Sequence, residues 1–199
     1  MQILVATDKF RGTATADEIS GAVAGAVVAS GGNFSVVGVA DGGEGFLEAM
    51  GGVNRTTVVT GPLGDVDEAG WRLSNGRAVV EMARASGLLL LADGENDPVA
   101  ASTYGTGELI GAAIEAGAKR VLVGVGGSAT TDGGFGALRA LYPLQRLRGI
   151  DIRVACDVRT RFVDAAEVFA PQKGATQSQV ELLRRRLERL TGCTSRTTA

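Results

Sequence analysis

Arg120-Val-Leu-Val-Gly-Val-Gly-Gly-Ser-Ala-Thr-Thr-Asp-Gly-Gly134 joins an apolar run to a loop that cannot prolong it. Residues 121–125 read as a short buried strand, broken only by Gly124, and the small and hydroxylic residues from Gly126 to Thr131 end it. Glycine leaves no Cβ between backbone and guest, so the N–H groups around Gly126, Gly127 and Ser128 can point at phosphate or carboxylate oxygens. A plainer reading competes, because many strand-to-helix turns need glycines and bind nothing. Asp132 favours function, since a carboxylate beside an anion hole can hold Mg²⁺ against nucleotide oxygens.

The same device recurs outward from this stretch. Residues 2–6 read as a buried strand running into a loop with Asp8, Lys9, Arg11 and Thr13. In open α/β sheets ligands bind beyond the carboxyl ends of strands, which is where these groups fall. Thr15 followed by Asp17 and Glu18 predicts a helix start, and Gly31-Gly32 its stop. A second strand over 34–40 ends in Asp41-Gly-Gly-Glu-Gly45, whose two carboxylates can converge as a metal pair or a general base; the alternative is a common Asp-Gly turn. Residues 55–60 are strand-like, and 68–73 and 77–82 predict a hairpin about Asn75-Gly76, with Trp71 as a packing residue.

Farther along, Glu81 and Arg84 stand three apart, as an ion pair or as substrate contacts. Ser102-Thr-Tyr-Gly-Thr-Gly107 puts Ser102 and Thr106 at a helix N-terminus, where a cap or an anion is favoured. A strand over 150–155 ends in Cys156-Asp157, and Lys173 lies in a Pro-Gln-Lys-Gly loop, where a solvated lysine and a functional one are equally open. Residues 176–190 have helical spacing with a solvated arginine face, and the polar end after Leu190 is expected to be unstructured.

The totals narrow the functions. With 199 residues, 45% hydrophobic and 21% charged, the chain can bury one full core or parts of two. A net charge of −2 with scattered cations argues against nucleic acid and for a small substrate. The chain has no histidine, which excludes His-based nucleophilic catalysis and disfavours zinc. Two cysteines, Cys156 and Cys193, form no metal or redox motif. The N-terminus begins as a strand, with no targeting segment and no apolar run of spanning length, so a soluble cytoplasmic protein is expected and no membrane partner.

These residues resemble those of the bacterial glycerate kinase family, which phosphorylates D-glycerate with ATP. The resemblance rests on Asp8-Lys-Phe-Arg-Gly12, Ala40-Asp-Gly-Gly-Glu-Gly45, Thr60-Gly-Pro-Leu-Gly64, Glu81-Met-Ala-Arg-Ala-Ser-Gly87, Ser102-Thr-Tyr-Gly-Thr-Gly-Glu108, residues 124–134, Ala155-Cys-Asp-Val158 and Phe169-Ala-Pro-Gln-Lys-Gly-Ala175. It departs at Arg11, where many members carry lysine, and the segment 134–150 is short for the family. Members are nearly twice as long. The resemblance therefore implies two α/β domains of glycerate kinase type, both incomplete, because only the N-terminal half is present and the chain is truncated. Residues 1–60 are expected in the first domain, 61–190 in the second, and 191–199 in an unstructured tail that matches nothing in the family.

As a glycerate kinase the chain would use ATP and Mg²⁺. Asp8, Arg11, Asp41, Glu44 and Lys173 are the candidate catalytic residues, with Arg11 and Lys173 neutralising the transferring charge. Arg84, Ser102, Thr106, Gly126, Gly127 and Ser128 are candidates for substrate or phosphate binding, and Asp132 and Asp157 for the metal. Asp41, Glu44 or Asp132 could each hold Mg²⁺ or take the hydroxyl proton. The alternative is a catalytically inactive remnant that self-associates through an uncovered sheet. A dinucleotide fingerprint at Gly124-x-Gly126-x-x-Ala129 lacks the acid that would complete it.

Overall fold

The structure is a computed structural model that describes residues 1–8 and 13–194. Strand β1 (Gln2–Thr7) runs through helix α1 (Ala16–Ala29) to strand β2 (Asn33–Gly38), and the two strands pair in parallel. Thr15 starts the helix: its hydroxyl accepts the Glu18 N–H at 3.2 Å, and the Glu18 carboxylate accepts the Thr15 N–H at 2.8 Å. These hydrogen bonds from Thr15 hold the exposed Glu18 carboxyl below its usual range. Helix α1 covers one face of the pair, burying Val5, Ala24 and Val27. Leu4, Ala6 and Val37 share the opposite face by register, and Leu4 and Val37 are 64% and 50% exposed there.

A five-stranded sheet follows in the order β3 (Arg55–Thr60), β4 (Val66–Ser74), β5 (Arg77–Glu81), β6 (Arg120–Gly124), β7 (Asp151–Ala155). The first three are antiparallel and the last three parallel. The expected hairpin forms at Asn75 and Gly76, both with positive φ, as a tight turn between twisted strands requires. Residues 55–60, grouped by sequence with the first unit, instead pair along their whole length with β4, Arg55 opposite Trp71 and Thr60 opposite Val66. The short turn at 61–64 makes that antiparallel return the local solution, and Gly61 N–H closes it on the Asp65 carbonyl at 2.6 Å.

Helix α4 (Tyr104–Glu115) lays Leu109, Ile110 and Ala113 on Val80, Val121, Val123 and Trp71, forming the main core. Trp71 is buried, and its indole N–H donates to Thr57 Oγ1 at 2.9 Å, so it packs as expected. Short helices α2 (Phe46–Ala49), α3 (Ala83–Ser86) and α5 (Phe135–Ala140) sit at the strands' carboxyl ends. Helices α6 (Ala165–Phe169) and α7 (Gln177–Thr194) form a satellite cluster on Ala166, Val180, Leu183 and Leu187. The α7 arginines are solvated, with Arg184 pairing to Glu181 and Glu188. The helix also continues through 191–194, which the sequence reading assigned to a tail: Leu190 packs on the cluster, and Thr191 Oγ1 donates to the Glu188 carbonyl at 2.7 Å. Residues 195–199 lie outside the described residues.

Candidate functional site

The loops that leave β2, β5 and β6 meet at one end of the five-stranded sheet, and glycine makes that meeting possible. A Cβ on Gly126 would lie 2.4 Å from Gly43 Cα, and one on Gly42 would lie 2.4 Å from the Ala155 carbonyl oxygen. The Gly126 N–H donates to the Gly42 carbonyl at 3.0 Å, which ties the two loops together. Glu81, buried at the end of β5, accepts the Leu47 N–H at 2.9 Å and so caps α2. Sequence reasoning placed Gly126 as an anion donor, whereas its N–H is spent inside the protein. The N–H groups of Gly127 and Ser128 have no partner among the described residues and remain available.

Lys173 approaches this loop from the far end of the chain. It is 8% exposed, and its Nζ donates to Ser128 Oγ at 2.7 Å and to the Thr130 carbonyl. Burial holds its ammonium down, at about 8 instead of 10.5, and the charge of Asp132 offsets only part of that. The Asn96 amide fixes the lysine's backbone by donating to its carbonyl at 2.5 Å. Lys173 is thus a buried cation directed at the glycine-rich loop, where sequence alone leaves a solvated and a functional lysine equally open. Thr131 Oγ1, in the same loop, is buried without a hydrogen-bond partner.

Asp132, a candidate for the metal, sits in a hydrogen-bond network of its own. Its Oδ2 accepts from Thr103 N–H, Thr103 Oγ1 and Gly136 N–H at 2.9, 2.8 and 3.0 Å, and its Oδ1 accepts from Gly134 N–H at 2.9 Å. Both oxygens accept from donors in the loop and at the starts of α4 and α5. Thr103, which the sequence reading passed over, is the partner in this network, and the only signal for it was a run of hydroxyls before a helix. Glu108, likewise missed, accepts the Thr60 N–H at 2.6 Å and anchors β3.

The other candidates divide. Asp41 is exposed, and its Oδ1 accepts the Gly43 N–H at 2.8 Å, so it shapes its turn, while its Oδ2 takes no hydrogen bond among the described residues. Glu44 is exposed three residues on, and Asp8 is partly buried at the end of β1. Arg84 bridges Glu48 and, at 3.8 Å, Glu81, so two carboxylates already hold it. Ser102 Oγ accepts the Tyr104 N–H at 3.2 Å as a local cap, and Thr106 is buried against Ser86 Oγ at 2.8 Å. Asp157 is exposed beyond β7, and Arg11 lies outside the described residues. Among the described residues no three acidic or cysteine side chains gather as a metal cluster. Nor is any helix long and apolar enough to cross a membrane.

The glycerate kinase family matches this sequence over residues 3–142 and 143–199. The chain belongs to that family. The match includes the last stretch, which the sequence reading had set apart, and it breaks inside the segment read as short. The chain is 38% identical to a glycerate kinase of Bacillus subtilis over 92% of its own length, and 37% identical to a glycerate 2-kinase of Escherichia coli over 90%. It spans 58% of the length of each of these curated relatives. A crystal structure of a putative glycerate kinase 2 from Salmonella typhimurium superposes with a TM-score of 0.83 at 33% identity, covering 98% of this chain and 63% of the other.

Proposed function

We propose that this chain carries the anion-holding loops of a D-glycerate kinase and transfers the γ-phosphoryl group of ATP to a glycerate hydroxyl in the cytoplasm. The observation that carries the reading is the buried Lys173 ammonium on Ser128 Oγ, beside the unpartnered N–H groups of Gly127 and Ser128. A preorganised, buried cation beside backbone donors suits a group whose negative charge is redistributed during transfer. Mg²⁺ is commonly held by one or two carboxylates plus substrate phosphates, so the missing three-ligand cluster does not argue against it. Asp41, whose Oδ2 takes no hydrogen bond among the described residues, fits best as the protein ligand; Asp132 already accepts four hydrogen bonds and fits less well. Bound there, Mg²⁺ would neutralise phosphate charge, and Glu44, three residues on in the same loop, is the carboxylate we assign to the hydroxyl proton.

A coupled assay of ADP release with Mg-ATP and D-glycerate tests this on protein shown to be folded. Release that requires D-glycerate supports the reading, and release equal to the glycerate-free blank overturns it.

A second reading rests on the bare face of β1 and β2: a non-catalytic chain that self-associates there through Leu4 and Val37. Light scattering across a concentration series separates the two readings, since a monomer at all concentrations removes the second.

A further inference from the structure

The loop of residues 127–130 is held by the chain that follows β5. The Ser86 carbonyl accepts the Ala129 N–H at 2.9 Å, and the Leu88 N–H donates to the Gly127 carbonyl at 2.9 Å, so Gly87 and Ser128 face each other in an antiparallel bridge. In that register the Ser128 N–H points away from the pairing, which leaves it open. After a 3₁₀ turn over Leu88–Leu90 the chain comes back to the same loop at Asn96. Asn96 Nδ2 donates to the Lys173 carbonyl at 2.5 Å and to the Ala129 carbonyl at 3.4 Å, across 77 and 33 residues of chain.

Both acceptors are carbonyls, so only the nitrogen end of an amide suits them. The other end, Oδ1, is buried without a hydrogen-bond partner. An empty buried acceptor opposes stability, so stability alone does not explain this amide. The segment that carries it is fixed on the far side: Asp97 Oδ1 accepts the Val99 and Ala100 N–H groups at 2.9 and 3.1 Å, and Arg186 of α7 donates to the Val99 carbonyl at 2.8 Å. Lys173 is therefore gripped at both ends, its carbonyl by Asn96 and its ammonium by Ser128 Oγ and the Thr130 carbonyl. A lysine stem has four methylenes and swings unless both ends are held.

We propose that Asn96 is a positioning residue of the anion site: its amide joins the Lys173 turn to the glycine-rich loop and sets where the ammonium stands relative to the Gly127 and Ser128 N–H groups. Its consequence for phosphoryl transfer rests on the proposed kinase activity; its hold on Lys173 does not. A small displacement of a charged group in a preorganised site is costly, because the charge must lie where the transferring group develops its own. Asp132 is the charged group that acts on this ammonium, and the atoms that Nζ contacts, Ser128 Oγ and the Thr130 carbonyl, are neutral. Without the Asn96 clamp the lysine head is free to leave them for water.

The test is a pH titration of the lysine side-chain signals of the full chain, labelled with ¹³C,¹⁵N-lysine. The sequence has three lysines, Lys9, Lys119 and Lys173, and Lys173→Arg assigns the third signal. Its midpoint, near 8 in the parent, should rise by about one pH unit or more in Asn96→Ala as the head becomes hydrated. Asn96→Gln, which keeps the amide donor, should restore part of the difference. A melting curve checks folding, and Asn96→Ser, smaller and without the amide, is the second variant should Asn96→Ala unfold. A midpoint unmoved in the folded variant overturns the proposal and leaves Asn96 a loop staple. In the kinase assay Asn96→Ala should lower kcat about tenfold in the parent and less than about twofold in Lys173→Met, since it acts through that lysine. Equal losses in both backgrounds overturn the proposal as well. A folded parent that releases no ADP removes the kinase reading alone, and the lysine midpoint still decides for or against Asn96.

Discussion

Lys173 Nζ reaches Ser128 Oγ across 45 residues of chain, and that 2.7 Å bond fixes a cation against the glycine-rich loop. Because burial holds this ammonium at about 8, its charge falls away from that pH upward, well below where a solvated lysine loses it. If the charge serves the transferring phosphoryl group, kcat/KM should fall on an alkaline limb near pH 8. Lys173→Arg, which keeps a cation, should move the limb beyond the measurable range, and a limb unmoved in that variant assigns it to another group.

The same shift has a consequence for stability. The folded protein releases the Lys173 proton near pH 8, while the unfolded chain holds it to about 10.5. Between those values the unfolded state carries more protons, so this residue makes stability rise with pH, and below 8 its penalty is constant. Urea unfolding at pH 7.5 and pH 10 should therefore show a difference in the parent that shrinks in Lys173→Met. An identical difference in both proteins would mean that Lys173 is not desolvated.

Asp41→Asn should lower glycerate-dependent ADP release by about a hundredfold or more while leaving Tm nearly unchanged. The amide oxygen of asparagine can still accept the Gly43 N–H, so the turn survives and only the charge is lost. Activity within a few-fold of the parent would make Asp41 a turn former alone.

Glycines in this chain have two opposite meanings, which calorimetry can separate. Gly126→Ala would drive a Cβ to 2.4 Å from Gly43 Cα, backbone that cannot step aside, and should cost about 2 kcal/mol or more. Gly21→Ala, in the open middle of α1, meets nothing within 4 Å and should gain up to about 1 kcal/mol. Equal effects would contradict the packing described for the two loops.

How much of this was legible in the sequence depended on the range of the contact. Thr15 and Glu18 cap α1 from three residues apart, and Asn75-Gly76 turns its hairpin within two, so local patterns sufficed. Residues 55–60 read correctly as a strand, but their sheet was set by a partner beyond the turn. Asp132 beside two glycines reads as a metal-ligand candidate, and nothing in its neighbourhood reveals that Thr103, 29 residues earlier, donates to it. Sequence leaves Lys173 open between a solvated and a functional cation for the same reason: its burial comes from a loop far back in the chain. Sequence reads Gly126 as letting backbone approach a ligand, and the close approach present there is to the backbone of Gly43.

The central claim is that the anion site lies at the loop of residues 127–128, and amide ¹H–¹⁵N spectra of the intact chain test it directly. On titration with Mg-ATP and D-glycerate together, the Gly127 and Ser128 N–H resonances should shift in a saturable way, and the shifts should weaken in Lys173→Met. Unmoved Gly127 and Ser128 signals at saturating nucleotide, or shifts confined to Arg77, Lys119 and Arg120 at the opposite end of the sheet, would contradict it.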